Sequence, residues 1–271
     1  MSATDFVLGI DIGGSSIKAA PIDPACGRLK AGVRAISTPE PMSRRQLVAA
    51  IVELASEFGR PVAIGIGFPC TVQQGRVLTS DNLHPEVAGI DAEMLAQATG
   101  HPVAILNDAE AAARAEMRYG AGRGRTEKTL ILTFGTGIGS SLAYEGAVIP
   151  CEFGLLPLHG GFAEQYAAAG ARTREQLTWP VWAARVSEYL ALVETVVQPE
   201  LIILGGGVSA EHRQFFQHLK HRVELVPAAL GNEAGIIGAA AQAMGLLSGA
   251  GCESTASSRS SSSRRLKGIR T

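Results

Sequence analysis

Four features are scarce in this sequence: cysteine, aromatic residues, an excess of one charge, and long apolar runs. The four cysteines are far apart and form no Cys-x-x-Cys pair, so we expect reduced thiols and no zinc. The formal net charge is −1, which gives no indication of a nucleic-acid partner. The longest helix-like apolar run, residues 235–247, is too short to cross a bilayer, and the first residues lack the pattern of a secretory signal. These absences predict a cytoplasmic protein without membrane or nucleic-acid partners.

Glycine, in contrast, is abundant. The chain has 32 glycines among 271 residues, an apolar fraction of 46% and an aromatic fraction of only 5%. This composition is typical of an α/β protein with many tight turns, and a chain of this length can form one or two domains. After residue 248 the composition becomes rich in serine and arginine, which predicts a disordered tail over residues 249–271.

The same order of elements is predicted twice along the chain. Residues 6–12 read as a strand that turns at GGSS, followed by strands over 17–23 and 28–38; residues 129–134 read as a strand that turns at GTGIG into two further strands. The expected helices cover residues 43–58, 91–99, 109–119, 179–197, 210–220 and 232–247. This repetition predicts two α/β domains, residues 1–121 and 122–248, with the last helix packing back on the first domain.

The glycine turns narrow the class of phosphate site. A Rossmann fingerprint needs a helix directly after its glycines, but strands are predicted after both turns. A Walker A loop needs Gly-Lys-Ser/Thr at its end, which neither turn has. The remaining arrangement is a pair of phosphate-binding β-hairpins on the two sides of a cleft, as in the superfamily of sugar kinases, Hsp70 and actin.

Five blocks of sequence follow one another in a distinctive order. They are GIDIGGSSIKAAPID from residue 9, LNDAEAAARAEMRYGAG from 106, LTFGTGIGSSL from 132, LIILGGGVS from 201 and NEAGIIGAA from 232. Together they resemble the ROK family of sugar kinases, and within it the polyphosphate glucokinases. The resemblance implies an actin-like ATPase (ribonuclease H-like) fold, a homodimer, and phosphoryl transfer from polyphosphate or ATP to the 6-hydroxyl of glucose.

The resemblance also assigns the phosphate donor and the metal. Glycines let backbone N–H groups approach phosphate oxygens without a Cβ in the way. The donor-binding residues that we expect are Gly13, Gly14, Lys18, Gly135, Thr136, Gly137, Gly206 and Gly207, the last two in a turn that resembles an adenosine-binding turn. Asp11 is expected to hold Mg²⁺, through water.

Asp108 is the expected general base, which takes the proton from the sugar hydroxyl. The alternative from the sequence is that Asp108 only caps the helix that follows it. Asn107 and Glu152 are expected to bind sugar hydroxyls. Glu164 aligns with a family glutamate that contacts the sugar, and a position on a helix surface is its alternative.

The chain departs from the family pattern E-x-G-H after Glu152. Leu155 stands at the histidine position, and Pro157 stands where polyphosphate glucokinases carry an acid. His159 is close enough in sequence to compensate, and a solvent-exposed loop histidine is its alternative. These changes keep open another hexose as substrate, or a sugar-binding regulator with weak catalysis. The early first strand argues against the helix-turn-helix of such regulators, and a filament or chaperone is disfavoured because its members need longer chains.

A chain-shaped donor such as polyphosphate needs cations beyond the triphosphate site. We expect them along the mouth of the cleft, and the candidates are Lys18, Arg123, Arg125, Lys128, Lys220 and Arg222. For any one of these residues, ordinary solvated surface is the alternative.

Overall fold

The computed structural model describes residues 5–40, 42–79 and 83–249. The predicted tail, apart from its first residue, lies outside these residues. None of the helices within the described ranges combines the length and the apolar character that crossing a membrane requires.

The described chain alternates strands and helices in the order that the sequence predicts, with additional short elements. The strands are β1 (Val7–Ile12), β2 (Ser16–Asp23), β3 (Arg28–Leu29), β4 (Arg34–Ser37), β5 (Ala63–Phe68), β6 (Val72–Gln73), β7 (Arg76–Val77), β8 (Val103–Asn107), β9 (Thr129–Phe134), β10 (Ile138–Tyr144), β11 (Ala147–Cys151), β12 (Pro157–Leu158), β13 (Gly161–Phe162), β14 (Leu201–Gly205) and β15 (Glu224–Pro227). The helices are α1 (Arg44–Ser56), α2 (Ala92–Thr99), α3 (Asp108–Tyr119), α4 (Ala163–Ala167), α5 (Ala169–Arg174), α6 (Trp179–Val197), α7 (His212–Phe215) and α8 (Ala234–Gly249). Single 3-10 turns cover Pro85–Val87, Phe153–Leu155, Gly207–Glu211, Phe216–His218 and Gly231–Glu233.

The first sheet has the strand order β3-β2-β1-β5-β8, with β4 also paired to β2. Strands β1, β5 and β8 run parallel, whereas β2 is antiparallel to β1. The prediction of one strand over residues 28–38 was wrong, because β3 and β4 are separate segments that pair with different parts of β2. The gap lies opposite Pro21, which has no N–H to donate and accepts a hydrogen bond from the Lys30 N–H at 2.8 Å.

The second sheet has the order β11-β10-β9-β14-β15 and repeats the antiparallel hairpin and the parallel neighbours of the first. The predicted helix over residues 210–220 is broken into α7 and two 3-10 turns. The break lies at Phe215, which is fully buried between Trp179 and Trp182 with ring centroids 5.6 and 4.8 Å away. The buried ring of Phe215 thus fixes the last residue of α7 against helix α6.

Helices cover both faces of the first sheet. One apolar cluster joins the sheet to α1 and α2, and another joins its opposite face to α8. Gly9 and Gly65 allow α8 to lie directly on β1 and β5: a Cβ at either position would come within 2.0 Å of a carbonyl oxygen of α8. Helix α8 thus comes last in the sequence but belongs to the layer that covers the first sheet.

Helix α3 lies between the two sheets. Its Ala115 packs in the cluster with α8, and its Ala113 packs with Ile131 and Ile203 of the second sheet. The first residue of α3 is Asp108, so both sheets together determine where this carboxylate lies. The proposed division of the chain after residue 121 stays a prediction.

Candidate active site

The parallel strands of the first sheet bring three residues of the candidate site to one edge. Asp11 of β1 is in register with Gly67 of β5, and the next residue of β5 is in register with Asn107 of β8. The carboxyl ends of adjacent parallel strands form the edge at which α/β sheets build their sites. A Cβ at Gly67 would lie 3.6 Å from the Cα of Asp108 and 3.7 Å from the Oδ1 of Asp11. Gly67 thus separates the two carboxylates, a role that the sequence analysis missed.

Asp11 is a partly buried carboxylate between a lysine and a helix end. Burial raises the pKa of Asp11, and the nearby Lys18, its register partner on β2, lowers that pKa. A Cβ at Gly235 would lie 3.1–3.3 Å from the Asp11 carboxyl group, so the amino end of α8 is in contact with it. The partial positive charge of a helix amino end favours a carboxylate or a phosphate at this point.

Asn107, and not Asp108, caps helix α3. The Oδ1 of Asn107 accepts hydrogen bonds from the N–H groups of Ala109 and Glu110 at 2.9 and 3.1 Å, and its Nδ2 donates to the carbonyl of Cys70 at 3.1 Å. The capping alternative for Asp108 was therefore assigned to the wrong residue. One of the two N–H groups of the Asn107 amide donates to Cys70, so the second N–H can donate to a further acceptor.

The surroundings of Asp108 make its carboxylate basic. Burial, together with the negative charges of Asp11 and Glu152, raises the pKa of Asp108 to about 6, while the Ala109 N–H, 2.7 Å from its Oδ1, opposes the rise. A pKa of about 6 leaves the carboxylate ionised at neutral pH and a stronger base than an ordinary aspartate. The structure thereby brings Asp11, Asp108 and Glu152 into one electrostatic cluster.

The first glycine turn is open to solvent and lightly held. The Gly13 N–H donates to the carbonyl of Ser16 at 2.9 Å, and the Thr38 hydroxyl donates to the carbonyl of Gly13 at 2.7 Å. A Cβ at Gly14 would meet no atom within 4 Å. The turn therefore has free space for a phosphate group beside Gly14. Thr38 is a further supporting residue that the sequence analysis missed.

The second glycine turn is held by two helices. The Gly170 N–H of α5 donates to the carbonyl of Gly135 at 2.9 Å, and the Glu164 Oε2 of α4 accepts from the Ile138 N–H at 3.2 Å. A Cβ at Gly137 would lie only 2.4 Å from that same Oε2. Gly135 and Thr136 remain exposed. Glu164 thus contacts the second glycine turn, which excludes its alternative as an uninvolved surface position, while a contact with sugar stays a prediction.

Glu152 is fixed from both sides by one serine. The Ser140 hydroxyl donates to the carbonyl of Cys151 at 2.8 Å and accepts from the Phe153 N–H at 2.9 Å. Ser140 is buried on β10. The neighbouring Gly139 lies against the first turn of α3, because its Cβ would be 2.5 Å from the Cβ of Ala109. The second meander therefore carries Glu152 towards Asp108. The sequence analysis missed Ser140, because only the pairing of β10 with β11 shows that its hydroxyl lies between Cys151 and Phe153.

The third glycine turn lies directly against the second. Gly206 has a φ of +84°, and a Cβ there would be 2.4 Å from the carbonyl oxygen of Phe134, the residue before Gly135. A left-handed conformation with this contact requires glycine. Gly207, in contrast, has open space around its Cα. The predicted donor glycines of the second sheet therefore meet at one edge.

The loop after Glu152 differs from what the sequence suggested. Leu155 is 44% exposed, and Pro157 begins a two-stranded hairpin of β12 and β13. His159 does not stand alone in solvent: its Nε2 lies 2.6 Å from the Glu188 carboxylate, and its ring packs on Tyr166. His159 is thereby engaged with helix α6 through Glu188 and with helix α4 through Tyr166.

Four of the six cations expected to bind polyphosphate lie at the edge of the second sheet that is opposite to the glycine turns. Arg125, Lys128 and Arg222 precede β9 and β15, whereas the glycine turns follow the strands. Arg125 pairs with Glu127 and Glu224, the Lys128 Nζ donates to the carbonyl of Val197, and Arg222 pairs with Glu194. Lys220 also precedes β15. The prediction of a cation row at the cleft mouth was therefore wrong for these four residues.

The residues present fit a magnesium ion. Mg²⁺ in phosphoryl-transfer sites uses one or two carboxylates, with phosphates and waters as its other ligands. In the described ranges, no group of three or more His, Cys, Asp or Glu side chains is placed to hold a metal by itself. Asp11 is the carboxylate nearest the first glycine turn, so a metal here would depend on phosphate oxygens for much of its coordination.

Comparisons with known proteins agree with this geometry. Residues 7–162 match the sequence profile of the ROK family. The polyphosphate glucokinase of Mycobacterium tuberculosis (strain CDC 1551 / Oshkosh) is 40% identical over 235 residues, which cover 86% of this chain and 89% of that protein. Among solved structures, an inorganic polyphosphate/ATP-glucomannokinase from Arthrobacter sp. strain KM has a TM-score of 0.84 and 36% identity, covering 90% of this chain and all of that chain. A ROK family glucokinase from Streptomyces griseus, solved with glucose and AMPPNP, has a TM-score of 0.73 and 26% identity, covering 89% and 99%. The expected actin-like ATPase fold is confirmed.

Proposed function

The chain belongs to the ROK family, and from that premise we propose that it transfers a phosphoryl group from polyphosphate or ATP to the 6-hydroxyl of glucose. One observation carries the proposal beyond family membership. The carboxylates of Asp11, Asp108 and Glu152 cluster at the start of α3, and both sheets direct their glycine turns to this point. Phosphoryl transfer needs this combination of a base, a metal-binding carboxylate and backbone N–H groups that bind phosphate.

Asp108 is the general base. Its carboxylate accepts the proton of the sugar hydroxyl as the oxygen attacks the terminal phosphorus. The bond from that phosphorus to the bridging oxygen breaks, and the leaving group is ADP or a polyphosphate shorter by one phosphate. A pKa of about 6 suits this proton transfer at neutral pH. The amide of Asn107 and the carboxylate of Glu152 orient the sugar through its other hydroxyls. Helix α3 fixes the base, and these side chains fix the sugar that accepts the phosphoryl group. Because both are held in place, the transfer becomes effectively unimolecular and its barrier is lower.

The glycine turns bind the donor. The backbone N–H groups near Gly14, Gly135 and Gly207 lie where no Cβ would obstruct a phosphate oxygen. Lys18 and Thr136 supply a cation and a hydroxyl at the same edge. Asp11 would hold Mg²⁺, which when bound neutralises charge on the phosphates. We further propose a homodimer, which light scattering of the purified protein tests.

An activity matrix tests the proposed function. Purified protein is assayed with long-chain polyphosphate, tripolyphosphate and ATP against glucose, mannose and a third hexose, and the phosphorylated sugar is quantified. We expect turnover of glucose with at least one of these donors. Glucose binding by calorimetry without turnover from any donor contradicts the proposal and favours a sugar-binding regulator.

Another hexose as the preferred acceptor is the second candidate. The observation in its favour is the loop after Glu152, where an exposed Leu155 replaces the histidine of the family pattern. A lost hydroxyl partner typically costs about 1–3 kcal/mol of binding, which weakens selectivity among hexoses. Higher kcat/KM for mannose or the third hexose than for glucose in the same matrix supports this candidate.

A further inference from the structure

A cavity lined by three arginines lies at the end of α3 that is remote from Asp108. Its volume is about 440 Å³, and Arg28, Arg118 and Arg123 line it together with Tyr119 and Leu230. The three arginines come from the start of β3, from the last turn of α3 and from the loop after α3. Eleven residues of helix separate Asp108 from Tyr119, a distance of about 17 Å along the axis.

Among the residues that the structure describes, the arginines have no anionic partner. In residues 5–40, 42–79 and 83–249, none of the three forms an ion pair, and the guanidinium of Arg118 contacts only the Tyr119 ring, 5.3 Å from its centroid. Asp23, a nearby acid, accepts from the Ala25 N–H at 2.9 Å. Three unpaired guanidinium groups around one concavity attract a polyanion, for which arginine is well suited.

The backbone that carries these arginines is firmly held. The buried carboxylate of Glu116 accepts three backbone hydrogen bonds, from Ala121 at 2.8 Å, Ala229 at 3.1 Å and Leu230 at 2.8 Å. In the β2–β3 turn, Gly27 has a φ of +70° and lies against the Tyr119 ring, since a Cβ there would be 2.6 Å from it. The walls of the cavity are therefore fixed before any ligand binds.

The cavity is connected to the donor site by one short segment. A Cβ at Gly205, beside the third glycine turn, would be 3.1 Å from the Cβ of Ala228. Leu230 of the cavity wall follows two residues later, at most about 7 Å of extended chain away. Residues 228–230 therefore link the third glycine turn to Leu230 in the wall of the cavity.

We propose that this cavity binds the distal phosphates of a polyphosphate donor whose terminal phosphate lies at Asp108. The inference rests on the proposed function, because it assigns a second contact region to the same donor. Tripolyphosphate and ATP are too short to occupy both regions, so the arginines discriminate donors by chain length. Among the six cations that the sequence suggested for polyphosphate, Arg123 is a lining residue of this cavity.

The test compares two sets of three neutralised cations in the full chain. The cavity variant carries Arg28→Gln, Arg118→Gln and Arg123→Gln; the control carries Arg45→Gln, Arg60→Gln and Lys220→Gln, which are exposed and distant in sequence from the cavity. Binding is measured without turnover, by calorimetry with long-chain polyphosphate, tripolyphosphate, ATP and glucose 6-phosphate over a series of salt concentrations. Melting temperature verifies that both variants are folded.

We expect the cavity variant to bind long-chain polyphosphate about tenfold or more weakly, since each lost contact is charge-assisted. The slope of log affinity against log salt should fall by about 2, at about 0.7 per phosphate contact. Affinities for tripolyphosphate, ATP and glucose 6-phosphate should be unchanged. An equal loss of affinity in the control variant would assign the effect to net charge. An equal loss of affinity for the short ligands would assign the arginines to a site for small anions. Either result would contradict the proposed site for the distal phosphates.

The failure of this inference is distinguishable from failure of the proposed function. Unchanged affinity for long-chain polyphosphate in an active cavity variant contradicts only the second contact region. The absence of sugar phosphorylation by the unmodified protein contradicts the proposed function, whatever the binding data show.

Discussion

The two glycine turns have the same place in their sheets but differ in charge and in support. The first follows Asp11, and within the described residues its hydrogen bonds from outside its own hairpin come from the segment at Thr38. The second follows the uncharged end of β9 and is held by α4 and α5, through Glu164 and Gly170. In the proposed mechanism, the first half therefore supplies the carboxylates of Asp11 and Asp108, whereas the second half presents a rigid backbone turn to the donor.

The largest expected effect concerns the charged half. Replacement Asp108→Asn removes the base but keeps the size of the side chain, so kcat should fall by about 10²–10⁴-fold. Glucose affinity by calorimetry should change little, because Asn107 and Glu152 remain. In the unmodified protein, log kcat should decline with unit slope as pH falls below about 6, the pKa of Asp108. Turnover near that of the unmodified protein in the variant would contradict the assignment of the base.

The second prediction concerns the rigid half. A Cβ at Gly170 would lie 2.6 Å from the Thr136 carbonyl oxygen, so Gly170→Ala must displace the donor turn. Displacement of about 1 Å can cost about 10²-fold in rate, and we expect kcat/KM for the donor to fall by about 10–10²-fold. The matched control is Gly245→Ala in α8, where a Cβ meets no atom within 4 Å. Similar losses in both variants would show that the contact at Thr136 is unimportant.

The third prediction concerns the free energy of unfolding, to which Asp108 of the charged half makes a pH-dependent contribution. The pKa of Asp108 is raised from 3.8 to about 6, so the folded protein binds this proton more tightly than the unfolded chain. The free energy of unfolding should therefore fall as pH rises from about 4 to about 6. The Asp108→Asn variant lacks this pH-dependent contribution to stability. At pH 7 its free energy of unfolding should exceed that of the unmodified protein by about 1–2 kcal/mol, because a change of one pKa unit corresponds to about 1.36 kcal/mol and partial exposure reduces the effect. Urea unfolding without magnesium at pH 4 and pH 7 measures it; an equal difference at both pH values would contradict it.

The smallest expected effect concerns the support of the first turn. Thr38→Val removes one hydrogen bond to Gly13 while keeping the shape of the side chain. Loss of such a bond typically costs about 0.5–1.5 kcal/mol, so the donor KM should rise only a few-fold and the melting temperature should fall slightly. Thr195→Val is the control, because its hydroxyl donates within α6 to the carbonyl of Ala191. A larger loss for Thr38→Val than for Gly170→Ala would reverse the comparison of the two turns.

The sequence by itself determined the order of elements and the chemistry of the turns. Helix α6 and strand β9 have the predicted bounds, because apolar periodicity and the glycine turns are local signals. The five ordered blocks also identified the family. Asp11 and Asp108 could be found from the sequence because each stands at the end of an apolar strand, where the pattern changes within a few residues.

Only the tertiary structure decided which of these residues meet. The hydrogen bond from Asn107 to the Cys70 carbonyl, the support of Glu152 by Ser140 and the contact of Gly235 with Asp11 join segments up to 224 residues apart, and no local pattern encodes such contacts. The misplaced cations show the same limit: Arg125 and Lys128 are adjacent in sequence to a donor strand but lie at its opposite end. The pKa of Asp108 is likewise a property of the fold, because it depends on the distance between carboxylates and on their burial.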